Sequence, residues 1–100
     1  MKYKISVKAI QDIESIWLYT LLNWSEAQAD YYFNLIMSEI NTIAQNPEYG
    51  RSYGSIRKKY RCYKVKSHLI FYKVNLSNKF VEIIRILHES MDVESRLDEK

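Results

Sequence analysis

The chain has 100 residues, 47% of them hydrophobic and 27% charged, with two Gly and one Pro. That is room for one domain, 1–100, around a single core, and too little Gly and Pro for a disordered chain. The formal charge of +3 is unevenly spread: residues 1–50 sum to −3, residues 51–73 hold eight Lys or Arg and no acid, and residues 74–100 sum to −2.

The opening "MKYKISVKAI" has no apolar run of the kind a secretory signal needs. The longest apolar stretches, such as "IWLYTLL", fall far short of the roughly 20 residues of a membrane helix. The lone Cys62 allows no internal disulfide and gives no zinc-ligand spacing. A cytoplasmic protein without metal or other cofactor is expected, with Cys62 buried and inert rather than reactive. The acid-free segment predicts a polyanion or an acidic protein surface as partner, against the plainer reading of a solvated basic face.

In chain order, "YKIS" (3–6) reads as a short strand. Ser6 can cap a helix in which Ile10, Ile13, Trp17, Leu21 and Trp24 recur at helical spacing. Ser25 and Gln28 form a capping box for a second helix, which carries Ala29, Phe33, Ile36, Ile40 and Ile43 and stops at Asn46 and Pro47. A joint of one or two residues makes the pair an antiparallel hairpin.

The period then changes. "IRKKYRCYKV" (56–65), "HLIFYKV" (68–74) and "FVEIIRILH" (80–88) read as strands joined by short polar links, an antiparallel meander. The order β-α-α-β-β-β is an α+β fold, with the helical hairpin packed on one face of a small antiparallel sheet. The last strand is apolar on both sides: regular alternation groups Phe80, Ile84 and Ile86 against Val81, Ile83 and Leu87. Two helices cover one face only, so the other awaits the C-terminal segment, a partner, or both. "HESMDVESRLDEK" reads as a turn or short helix at the sheet edge, with Asp92 a candidate cap.

The chemistry-bearing candidates cluster late. Arg57, Lys59, Arg61 and Tyr63 share one strand parity, and cations beside aromatics suit phosphates and stacked bases. Cleavage of RNA would need proton transfer and transition-state charge stabilisation. His68, His88, Glu82 and Glu89 could supply the first, and Arg57, Arg61 and Arg85 the second. The bland alternatives are a structural hydrogen bond for His68 and a capping or partner contact for His88. Arg85 cannot shed its charge, so it needs an anion: a phosphate, a partner's carboxylate, or Glu82, Glu89 or Asp92.

"SHLIFYKV" followed by "EIIRILHESMDVESRL" closely resembles the C-terminal half of ParE toxins, in the RelE/ParE superfamily. "AIQDIESIWLYT", "WSEAQADYYFNLI" and "IAQNPEYGRS" fit its first half, in the right order. The resemblance implies a toxin neutralised by a ParD-like antitoxin and directed against DNA gyrase with its DNA. The alternative it implies is a RelE-like endoribonuclease cutting messenger RNA on the ribosome, here through Arg61, Arg85 and His88. That branch carries a Tyr near the chain end; here no Tyr follows Tyr72, so the ribonuclease set is incomplete and gyrase leads. On the gyrase reading Arg57, Lys59, Arg61, His68, Arg85 and His88 contact target or antitoxin and none is catalytic. A relic that only binds its antitoxin is a third possibility.

Overall fold

The computed structural model describes residues 1–54 and 59–97. Candidate Arg57 and the expected start of a strand at residue 56 lie outside the described residues. Strand β1 (Lys2–Ile5) leads into α1 (Val7–Asn23), then α2 (Glu26–Gln45) and a 3-10 turn (Pro47–Tyr49). Strands β2 (Arg51–Ser52), β3 (Arg61–Val65), β4 (His68–Asn75) and β5 (Phe80–His88) follow, then helix α3 (Val93–Leu97).

The starts of α1 and α2 are set by serine caps. Ser6 Oγ accepts from Ala9 N–H at 3.0 Å, and Ser25 Oγ accepts from Gln28 N–H at 3.0 Å. Ser6 also binds α1 to the sheet, donating from Oγ to Ile84 O at 2.8 Å and from N–H to Ile83 O at 3.0 Å. The buried stripes follow those expected at Ile13, Ala29, Ile36, Ile40 and Ile43 and depart from them only at their rims. In α1 it is Ala9 and Ile13 that are buried, with Ile16 half-buried, while Ile10 and Trp24 are exposed. In α2 the half-buried Tyr32 stands where Phe33 was expected, and Phe33 is exposed. An apolar side chain on the rim of a helical stripe satisfies the same period as one at its centre, so spacing alone picks either.

The sheet has five strands in the order β1-β5-β4-β3-β2. Beyond the expected elements it gains the two-residue β2. It is also mixed rather than wholly antiparallel, because β1 pairs with β5 in parallel, Lys2 opposite Phe80. Only strands joined by tight turns are forced antiparallel, and most of the molecule separates β1 from β5.

A β-bulge corrects the expected alternation of β5. The β4–β5 register passes from Phe71 opposite Arg85 to Tyr72 opposite Ile83, leaving Ile84 as the extra residue. Parity reverses there. Val81, Ile83 and Ile86 therefore join Ile70 and Tyr72 under Ile36, Ile40 and Ile43 of α2. Leu87 joins Phe71 and Cys62 on the opposite face, and Leu97 of α3 closes over them. The tail thus lies across the second face instead of at its edge. Among the described residues no helix is long and apolar enough to cross a membrane.

Candidate functional site

The two histidines meet at one end of the sheet. His68 opens β4 directly opposite His88, the last residue of β5, and their rings stand edge to face with centroids 5.2 Å apart. Glu89 N–H donates to Ser67 O at 2.8 Å, so the flanking pair carries the hydrogen bonding and the two imidazoles take the closer, unbonded position. The bulge matters here, because it turns His88 to the helix side of the sheet.

Each imidazole has its Nδ1 engaged. Tyr32 of α2 brings its hydroxyl 2.6 Å from His68 Nδ1 and 3.2 Å from Val65 O. His88 Nδ1 accepts from Ser90 N–H at 3.1 Å and lies 2.7 Å from Ser90 Oγ. Burial, with a smaller contribution from the charge of His88, lowers the His68 pKa to about 4, so it is neutral at pH 7. Burial raises the Tyr32 hydroxyl. The cluster opens into a groove of about 860 Å³ between the helical hairpin and the sheet, lined also by Asp12, Trp24, Lys66 and Met91. A neutral imidazole, a phenol and an ammonium in a partly apolar groove can accept and relay a proton or hold a partner side chain.

Arg85 faces elsewhere. Its Nε and Nη2 donate to Asp12 Oδ2 and Oδ1 at 2.8 and 2.9 Å, and Nη1 donates to Arg96 O at 3.1 Å. The anion is therefore Asp12 of α1, not any of the three acids expected. Glu82 instead lies 3.6 Å from Lys73, Glu89 lies 2.9 Å from Lys64, and Asp92 accepts from Ser95 Oγ at 2.9 Å. Lys64 also holds the Glu89 carboxyl below its usual range.

Arg61 stands opposite Tyr72, at the end of β3 away from Val65 and His68. Its Nη2 donates to Glu48 O at 3.1 Å and to Gly50 O, and its buried Nε has no hydrogen-bond partner among the described residues. Lys59 is exposed on the same side of the molecule as Arg61, lining a second groove. The structure thus brings His68 and His88 together and leaves Arg61 and Arg85 apart from them, each bound to other groups. Sequence reasoning missed Asp12 and Tyr32. Asp12 had a signal: it is a charge set inside the stripe Ala9, Ile13, Ile16, which a helix tolerates only when the charge is matched. Tyr32 had none, since Tyr31 beside it reads alike.

The family described as "ParE toxin of type II toxin-antitoxin system, parDE" matches residues 3–93. The chain is 36% identical over 95 residues to "Toxin ParE1" of Caulobacter vibrioides, covering 95% of this chain and 96% of that protein. It is 34% identical over 96 residues to "Toxin ParE1" of Mycobacterium tuberculosis strain CDC 1551, covering 96% and 97%. Among solved structures, "Chromosomal ParDE TA system from P. aeruginosa" contains a chain with the same fold, at TM-score 0.76 and 19% identity, covering 88% of this chain and 95% of that one. A match along almost the whole chain leaves one conclusion: the chain belongs to the ParE family and is the toxin component of a type II toxin–antitoxin system, with an antitoxin as its counterpart.

Proposed function

We propose that this toxin acts in the cytoplasm on DNA gyrase, trapping the enzyme with its DNA, and that a ParD-like antitoxin neutralises it. The observation that carries this reading is the dispersal of the groups a ribonuclease would use. Arg85 is committed to Asp12, and Arg61 to carbonyls at the far end of β3. Neither guanidinium stands over the histidine groove to stabilise a phosphorane-like charge. A poison that works by holding a protein–DNA complex needs surface rather than a charge-relay, and the exposed residues of the hairpin, such as Leu18, Leu22 and Trp24, supply it.

One observation favours the RelE-like endoribonuclease reading. His68, His88 and Tyr32 form a proton-transfer set with Lys66 on the same groove. Supercoiling by purified gyrase and cleavage of ribosome-bound messenger RNA, assayed side by side with purified toxin, separate the two. The expected result is loss of supercoiling with accumulation of cleaved DNA, relieved by the antitoxin. RNA cleavage with untouched supercoiling would overturn it.

A further inference from the structure

The outer face of the sheet is only half covered. Leu97 and Val93 of α3 lie over Cys62, Phe71, Leu69 and Leu87. The other half, built from β1, the start of β5, the end of β4 and the residues entering β3, carries a different set of side chains. Lys2 and Lys4 flank Phe80 and Glu82 through the parallel register, opposite in parity to Tyr3, which packs into the helix-side core. Lys73 lies opposite Glu82 on the next strand, and Tyr60 beyond it belongs to the outer cluster.

Each ring on this half has an ammonium over it: Lys4 Nζ is 5.3 Å from the Phe80 centroid, and Lys73 Nζ is 5.7 Å from that of Tyr60. Tyr60, Phe80, Lys59 and Lys73 line one groove of about 660 Å³. Among the described residues, Lys2, Lys4, Lys59 and Lys73 against the acid Glu82 leave this half strongly positive. Among the described residues Glu82 holds Lys73, at 3.6 Å and partly in solvent, a contact too weak to keep a phosphate away.

We propose that this open half-face binds single-stranded nucleic acid, with phosphates on Lys2, Lys4, Lys59 and Lys73 and bases against Phe80 and Tyr60. A cation and a flat apolar ring within one nucleotide's reach, occurring twice on this half-face, match the alternation of phosphate and base in an unpaired strand. A duplex hides its bases and could use only the lysines. An acidic protein helix would ask for aliphatic pockets, whereas the apolar surface offered here is two rings already faced by cations. The site is on the opposite side of the sheet from the histidine groove and does not depend on which target the toxin attacks.

The test is fluorescence anisotropy of free toxin with a labelled twelve-nucleotide oligo-dT and with a duplex of the same length, across a salt series. Oligo-dT should bind more tightly than the duplex, and each phosphate engaged should add about 0.7 to the steepness of the log–log salt dependence. Lys4→Gln with Lys73→Gln, changes outside the core, should flatten that slope by about 1.4 and weaken binding at low salt. Phe80→Leu, checked by its melting temperature, should weaken oligo-dT binding about fivefold or more and leave duplex binding unchanged. Absence of oligo-dT binding at low salt overturns the proposal. So does equal affinity for the duplex with no effect of Phe80→Leu, or an unchanged slope in the double lysine variant.

Discussion

Asp12 and Arg85, 73 positions apart, meet fork to fork, and the same Asp12 Oδ2 accepts from Ile86 N–H at 2.9 Å. That N–H belongs to the stretch of β5 beyond the last residue paired with β1, where the strand edge is open. One carboxylate therefore seals a sheet edge and neutralises a buried guanidinium, while Arg85 Nη1 reaches on to α3 through Arg96 O. With side chains only 10% and 14% exposed, the pair behaves as a buried one.

Removing either partner strands a charge. Arg85→Ala and Asp12→Ala should each cost on the order of 3 kcal/mol and lower Tm by more than about 10 °C. Toxicity should fall only in step with the folded fraction. Thermal melts run beside a growth-arrest assay check this. An Arg85→Ala protein with native Tm and no toxicity would place Arg85 at the target surface instead.

The His68 shift makes stability pH-dependent. Its folded pKa of about 4 lies below the unfolded value of 6.5, so the unfolded chain takes up the proton first as pH falls. Stability from this group is complete above pH 6.5, declines between there and pH 4, and is then flat. Discounted for partial exposure, the loss is about 1–2 kcal/mol. His68→Gln should flatten the Tm profile across that window, which melts at half-unit pH steps would show.

Tyr72 fastens the turn after α2. Its hydroxyl donates to Pro47 O at 2.6 Å and accepts from Gly50 N–H at 2.8 Å. Tyr72→Phe leaves both backbone groups without that partner and should cost about 1–3 kcal/mol. Gly50→Ala should be at least as damaging, because its Cβ would stand 2.7 Å from Tyr72 Cε1 in a ring with no exposed surface. Denaturant melts rank the two.

Cys62 reports on the cover of the second face. It is buried beside Leu97, and burial raises its thiol pKa. Leu97→Asp should remove about 2 kcal/mol of burial and raise the Cys62 alkylation rate roughly 30-fold. The variant should also bind a hydrophobic dye. Unchanged alkylation would mean that α3 does not guard this face.

Much of this was legible in the chain. Ser6, Ser25 and Pro47 mark helix ends by local hydrogen-bonding chemistry, which needs no knowledge of the rest of the fold. The doubly apolar β5 announced a strand covered on both faces. The bulge at Ile84 was not legible: one inserted residue leaves composition intact, yet sends Ile86 and Leu87 to opposite assignments and brings His88 to His68. The Asp12 pairing was out of reach for a related reason, since it depends on where α1 crosses the β5 edge, a long-range result of packing.

The parallel β1–β5 pairing also sets a clock. Residues 2–5 cannot find their place in the sheet until residues 80–83 exist, and the Asp12–Arg85 pair closes equally late. At about 5–20 residues per second of synthesis, roughly 4–15 s separate the making of β1 from that of its partner. During that interval the helical hairpin has only half a sheet to rest on. The sheet, and with it the cover over α1 and α2, is completed only by the last strand to be made.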